Sequence, residues 1–373
     1  MSQIRFIAVH LLNDFSGSPR VLADFCAIKS IQSQQLTIVT NSSDGFLGPQ
    51  LGALEIIWYP RSDSRVLNVF ALLLAQAQIF FIVLFLCRKN RRDGVQTVVI
   101  NNTILCLASM LASRLMGALT IVYIQELLTT QRLLKGIAEW VIRQTVDEVL
   151  IVSSIISEHY KLDDCRVTLI PNGLRSDFTI SRELDFDAKF YLGATLFVGS
   201  LKVHKGVDEL LKIAGKLPEY PFQAVLNCSL AELEEFSNKK TIPTNLTVFA
   251  RSDELENKYQ EAFLLMNLSL SPKCTEAFGL TVLEGLSAGC PCIVPPSGGH
   301  MDYFSSAAGF AVDARDTIAI VNFIKVLRSD KSRWLSFSMQ GLKIAERYSA
   351  KLFRHRADGF VKAIIRRNFQ IDF

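Results

Sequence analysis

Ser271–His300 reads SPKCTEAFGLTVLEGLSAGCPCIVPPSGGH. It decides the fold, because it alternates buried strand, glycine turn, short helix, strand and glycine turn. The apolar run Leu264–Ser271 suits a buried strand, and Pro291–Val294 opens a second one. Between them Thr281-x-x-Glu284 has capping-box spacing, and Gly289 followed by Pro291 stops a helix. Glu276 and Glu284 lie eight positions apart and bracket Phe278-Gly279-Leu280-Thr281. This spacing predicts one acid in the loop beyond a strand and one in the first turn of a helix, with amide groups between them. A helix start preceded by glycine attracts anions, because its first N–H groups have no partner within the helix. Glu276 then stands where it would accept hydrogen bonds from hydroxyls attached to the anion.

The chain has 373 residues, 49% hydrophobic and 20% charged, which implies about two globular domains. A net charge of +4 gives no footprint for nucleic acid, and none is expected as a partner. The eight cysteines (26, 87, 106, 165, 228, 274, 290 and 292) form no C-x-x-C pair. Cys290-Pro-Cys292 reads as two buried small residues at a strand start. No metal-ligand spacing is present, so no metal and no cofactor are expected. No signal peptide precedes the first strand, which points to a reducing cytoplasm.

Strand patterns recur at Arg5–Leu12, Leu36–Thr40, Leu54–Trp58, Thr97–Ile100, Ala118–Tyr123 and Glu148–Ser153, with helical patterns separating them. That is the rhythm of a doubly wound α/β sheet. A second rhythm follows at Thr195–Val198, Gln223–Asn227, Leu246–Phe249, Leu265–Leu270 and Gly309–Val312. Arg175–Phe190 between the two is polar and reads as a linker. No G-x-G-x-x-G follows the first strand and no G-x-x-x-x-G-K-[ST] occurs, which argues against dinucleotide oxidoreductases and P-loop nucleotidases. The Ser16-Gly17-Ser18 turn leads into a helix expected over Val21–Ile31. The last helical pattern, Leu352–Arg367, places Phe353, Ala357, Phe360, Val361 and Ile364 on one face.

Glu276-Ala-Phe-Gly-Leu-Thr-Val-Leu-Glu284, continuing through Gly289-Cys290-Pro291 to Ser297-Gly298-Gly299, resembles the E-x7-E signature of family 4 retaining glycosyltransferases. The resemblance covers nearly the whole chain and is strongest in its C-terminal half. It implies the GT-B fold: two Rossmann-like domains facing across a cleft, with the last helix returning to the first domain. The domains would be 1–185 with 351–373, holding the acceptor, and 186–350, holding a nucleoside-diphosphate sugar. It further implies that Glu276 holds the donor sugar's hydroxyls, Glu284 the ribose, and the amides of Phe278, Gly279, Leu280 and Thr281 the diphosphate.

Gly199-Ser-Leu-Lys-Val-His-Lys-Gly206 resembles the family's G-R-L-x-x-x-K-G loop, whose Arg and Lys grip that diphosphate. Lys205 matches the lysine. Ser200 stands where Arg is usual, so either Lys202 compensates or binding leans on Lys205 and amides. Asp302 stands for the Glu of a G-G-x-x-E pattern. Val167–Gly173 matches the V-I-P-N-G that closes the first domain. Gly17 and Ser18 resemble part of the family's N-terminal glycine loop. Gln125 falls where many members carry a His that faces the donor sugar; an amide can donate there but cannot titrate. Glu276 and Lys205 are the expected catalytic residues.

Two segments suggest a membrane. Val66–Cys87 is 22 residues long and apolar enough to span one. Asn68, Ala71, Ala75 and Gln78 form a stripe on it, and Arg61, Arg65, Arg88, Lys89, Arg91 and Arg92 flank both ends. Spanning would put strands of one sheet on opposite sides of a bilayer, so a helix packed in the first domain is expected, with lipid contact as a further option. Gln131–Arg143 alternates Arg132, Lys135 and Arg143 with Leu133, Leu134, Ile137, Trp140 and Val141. The expected function is a cytoplasmic glycosyltransferase, peripheral on an anionic membrane, with a saccharide or lipid-linked acceptor. A nucleotide-sugar epimerase and a catalytically inactive nucleotide-sugar-binding subunit are the alternatives.

Overall fold

The structure is a computed structural model that describes residues 4–60, 64–175, 178, 184–251, 255–270 and 275–371. Ser271–Cys274 and Arg61, both used above, lie outside the described residues, as does the side chain of Arg65. The chain divides into two compact units, Met1–Asn172 with Lys351–Phe373, and Gly173–Ala350. The boundary falls at 172/173, not 185. The Leu174 N–H already donates to the Tyr348 carbonyl of the second unit, and a helix, Phe186–Leu192, occupies the end of the expected linker.

The first unit is built on seven parallel strands: β1 (Ile4–Val9), β2 (Gln35–Asn41), β3 (Ala53–Ile57), β4 (Gln96–Asn101), β5 (Leu119–Ile124), β6 (Glu148–Ile151) and β7 (Val167–Leu169). Their order is β3-β2-β1-β4-β5-β6-β7. Phe6, Ile7, Ala8 and Val9, which alternate between the two faces of β1, are all buried, as expected of strands covered on both faces. The expected Val21–Ile31 helix starts earlier, at Gly17, and ends at Cys26; a separate turn of helix covers Lys29–Gln32. The C-terminal helix Ala350–Phe369 belongs to this unit. Its Asp358 accepts the Ser30 N–H at 2.8 Å, and Arg367 pairs with buried Glu148.

The second unit holds six parallel strands: β8 (Thr195–Gly199), β9 (Phe222–Leu226), β10 (Leu246–Phe249), β11 (Leu264–Met266), β12 (Cys292–Val294) and β13 (Gly309–Ala311), in the order β10-β9-β8-β11-β12-β13. Trp334 anchors its core, fully buried, donating to the Phe263 carbonyl at 2.8 Å and stacked on the Phe263 ring. Both units are therefore Rossmann-like. In each, the strand order reverses once, between β1 and β4 and between β8 and β11. At such a reversal successive crossovers leave in opposite directions, and a crevice opens beyond the carboxyl ends of the two strands.

The Val66–Cys87 segment lies within one helix, Arg65–Arg92, which connects β3 to β4. Both strands belong to one sheet, so this helix does not span a membrane. Its buried stripe is Ala71, Ala75, Ile79, Val83 and Cys87. It shares Ala71 and Ala75 with the stripe read in the sequence, but continues along Ile79 and Val83 and leaves Asn68 and Gln78 only half-buried. Gln78 instead binds the backbone N–H and carbonyl of Trp58 at the surface. The helix packs on Leu107–Met116, and that one on Arg132–Thr145. All three follow crossovers running the same way along the sheet, and crossovers of the usual right hand then share one face.

Candidate active site

In the second unit the loops after β8 and β11 meet at the strand-order reversal. The loop after β8 ends in a single 3-10 turn, Val203–Lys205, closed by Gly206 at φ +81°. A Cβ there would meet the Leu268 carbonyl oxygen at 2.2 Å, so only glycine lets the two loops touch. The Leu270 N–H donates to the His204 carbonyl at 2.8 Å and fixes their register. Lys205 Nζ consequently lies 2.5 Å from Glu276 Oε1, and Ser269 Oγ donates to the same oxygen at 2.8 Å. Burial alone would raise the Glu276 carboxyl; the Lys205 ammonium, Ser269 and His300 outweigh it and hold it below the usual carboxylate range. Lys202 is exposed.

Gly279, at φ +85°, is the N-cap of the helix Leu280–Ser287. The expected Thr281–Glu284 capping box does not form, because the left-handed glycine starts the helix two residues earlier. Glu284 then falls in the second turn, where it is buried and accepts the Tyr259 hydroxyl at 3.0 Å. The helix start still carries unpaired-type N–H positions over Leu280 and Thr281. Tyr303 secures it from below, donating to the Gly279 carbonyl at 2.7 Å within a cluster of Phe278, Tyr303 and Tyr348 rings. The Gly299 N–H donates to the Glu276 carbonyl at 2.7 Å and brings the Ser297–Gly299 loop alongside. Gly199, Ser200, Lys205, Glu276, Phe278–Thr281 and Glu284 thus belong to one unit, on loops and a helix start at the carboxyl ends of β8 and β11.

The first unit gathers a second polar group at its own reversal, beyond β1 and β4. Gly17 opens its helix, and Ser18 is committed to Asn102, whose Nδ2 donates to the Ser18 carbonyl at 2.8 Å. Gln125 accepts from Asn172 at 3.2 Å, and its own amide nitrogen is buried with no partner among the described residues. Sequence reading missed His10, Asn102 and Thr103, and gave no role to Glu126 beside Gln125. Glu126 accepts from the Thr103 hydroxyl and from the Ile104 N–H at 2.8 Å; burial nonetheless lifts its carboxyl above the ordinary value. The available signal was Asn101-Asn102-Thr103, a polar run directly after an apolar strand.

Residues 192–341, most of the second unit, match the sequence model of the family described as glycosyl transferases group 1. Among curated proteins, the chain is 30% identical over 100 residues to probable sucrose-phosphate synthase 5 of Oryza sativa subsp. japonica; this covers 26% of the chain and spans only 10% of the rice protein. Among solved structures it is similar to Anabaena Alr3699/HepE in complex with UDP-glucose, with a TM-score of 0.76, 14% identity, and 96% and 99% of the two chains covered. WaaG, a glycosyltransferase involved in lipopolysaccharide biosynthesis, gives a TM-score of 0.67 at 14% identity, over 95% and 98% of the chains. These likenesses establish the GT-B fold.

His10 yields a test of the first-unit cluster. Burial lowers its pKa from 6.5 to about 4, against smaller upward contributions from Asp14 and the Asn102 backbone. Below pH 6.5 the unfolded chain takes up a proton that the folded His10 refuses, so stability falls as pH drops from 6.5 towards 4. In urea denaturation at pH 7 and pH 4.5, His10→Gln should therefore narrow its stability gap to the wild type by roughly 2–3 kcal/mol at the lower pH. A gap independent of pH would show that His10 titrates normally.

Proposed function

We propose that the protein is a family 4-type retaining glycosyltransferase that moves a sugar from a nucleoside-diphosphate sugar to a saccharide or lipid-linked acceptor in the cytoplasm. The observation that carries this reading is the Lys205–Glu276 contact, which joins a cation and an acid from two separate motifs at a strand-order reversal. Glu276 accepts hydrogen bonds from the donor sugar's hydroxyls. Lys205 and the amides of Phe278–Thr281 face the diphosphate, and Glu284 faces the ribose. In the reaction the bond from the anomeric carbon to phosphate oxygen breaks and a bond to the acceptor oxygen forms on the same side. The acceptor's proton passes to the departing phosphate oxygen. Fixed dipoles and one ammonium stabilise the charge that develops there, usually the largest catalytic contribution. With Ser200 in place of an arginine, Lys205 carries the cationic share. Gly17, Ser18 and Gln125 fall on the acceptor side of this scheme. The complex of HepE with UDP-glucose makes that compound the first donor to test.

Two substitutions separate the roles. Glu276→Gln should lower kcat/KM for transfer by about 10- to 100-fold, for loss of a carboxylate–hydroxyl contact. Its affinity for UDP should be unchanged or tighter, because Lys205 loses a competing anion. Lys205→Ala should weaken UDP and UDP-glucose together, and by more than Lys202→Ala does. Near-normal transfer by Glu276→Gln, or equal small effects at Lys202 and Lys205, contradicts the assignment.

The acceptor side of the proposal is a lipid surface. Opposite its buried stripe, the Arg65–Arg92 helix turns outward Phe70, Leu74, Phe81 and Phe85, followed by Arg88 and Arg92. Leu115 and Trp140 are exposed on the two helices beside it. Val141, one of the apolar residues read on the Trp140 helix, is buried and does not face a membrane, and Arg143 is tied to the Lys161 carbonyl at 2.8 Å. Exposed aromatic and aliphatic side chains that run into a basic end suit an anionic bilayer. The purified protein should sediment with anionic vesicles at low salt. Neutralising Arg88, Lys89, Arg91 and Arg92 together should weaken binding by roughly 100-fold or more, at about 1 kcal/mol per basic contact. Indifference to anionic vesicles at low salt, with full-rate transfer to a soluble acceptor, removes the membrane from the account.

A further inference from the structure

We infer that Tyr259 is the positioning residue for Glu284 and that, through this contact, it sets a preference for ribose over deoxyribose in the bound nucleotide. The inference rests on the reading of Glu284 as the ribose-holding acid. Tyr259 lies on the helix Leu255–Glu261, far from both glutamates in sequence, and its side chain is fully buried. Its hydroxyl donates to Glu284 Oε2 at 3.0 Å. Burial, and then the Glu284 charge, push the phenol well above its ordinary value, so it stays protonated and remains a donor.

Tyr259 is itself held from three sides. Its carbonyl accepts from the buried Lys189 ammonium at 3.0 Å and from the Cys290 thiol at 3.2 Å. Lys189 also donates to the Gln260 carbonyl at 2.7 Å, which pins the end of the same helix. On the ring side, Phe178 packs edge-on at 5.7 Å between centroids, and Arg175 lies over Phe178 while pairing with Glu256. A ring fixed in this way cannot follow the carboxylate; the carboxylate must follow the ring.

The last torsion of a glutamate side chain is broad and soft, so an unrestrained carboxylate turns to suit whichever hydroxyl is offered. The hydrogen bond from Tyr259 to Oε2 restrains the plane of the group and with it the direction of Oε1. A carboxylate of fixed direction rewards the vicinal hydroxyls of ribose and does not readjust when one is missing. A site built to meet a hydroxyl discriminates most strongly against the analogue that lacks it.

The test is calorimetric titration of the full chain with UDP, ADP and GDP and with their 2′-deoxy counterparts. The wild type should prefer the ribose form of the base it binds. Tyr259→Phe should lose about tenfold in affinity for that form, the worth of one hydrogen bond to a charged group, and far less for the deoxy form. The ribose preference should shrink accordingly. In a Glu284→Ala background the preference should already be gone, and adding Tyr259→Phe should change nothing further. If Tyr259→Phe weakens both forms equally, or neither, Tyr259 only packs the core and the inference is overturned. A preference that survives Glu284→Ala overturns the ribose role of Glu284 and leaves the transferase reading standing. Failure of the wild type to bind any of the nucleotides overturns both.

Discussion

A parallel sheet whose strand order reverses must leave one gap that no crossover covers, and each unit of this protein gathers a cluster of polar side chains at that gap. In the second unit the gap brings Lys205 within 2.5 Å of Glu276 although 71 positions separate them. Neither residue would be tolerable there alone. A half-buried carboxylate without a cation is costly, and a half-buried ammonium without an anion equally so. Gly206 permits the approach, Ser269 shares the carboxylate, and the Leu270–His204 backbone bond keeps the register. The same logic governs the first unit, where His10, Ser18 and Asn102 close on one another beyond β1 and β4.

The two reversals differ in chemical character. The second unit presents a charged pair beside a helix start, which suits a phosphate-bearing ligand. The first unit presents amides and hydroxyls around Glu126, with His10 kept neutral by burial, which suits hydroxyl-rich ligands. Aromatic side chains tie the second site to the segment that follows Gly173. Tyr348 joins Leu174 to the Phe278–Tyr303 cluster beneath Gly279, and Phe178 joins Arg175 to Tyr259 and so to Glu284. Both ends of the glutamate motif are thus braced by residues near the start of the second unit.

The legibility of each part in the sequence followed its locality. The strands were readable because a strand covered on both faces is continuously apolar over a few residues. Glu276, Gly279 and Glu284 were readable because a short run carries the whole loop and helix start. The false capping box shows where spacing fails: Thr281-x-x-Glu284 has the right pattern, but the positive φ of Gly279 moves the helix start. Tyr259 and Ser269 carried no signal, since their partners lie on other elements and only the folded sheet brings them together. The stripe on the Arg65–Arg92 helix was only half legible, at Ala71 and Ala75, for a related reason. A helix apolar all round has no periodicity to mark its buried side, and packing against Leu107–Met116 decides it.

The central claim is that the reversal between β8 and β11 is the donor site. The most direct measurement is a diffraction structure of the protein soaked with the nucleoside-diphosphate sugar that binds it best. The account predicts the diphosphate against the Phe278–Thr281 amides and Lys205, the ribose at Glu284 and the sugar at Glu276. Density for the nucleotide among His10, Ser18 and Asn102 of the first unit, with the Lys205–Glu276 pair left untouched, would contradict it.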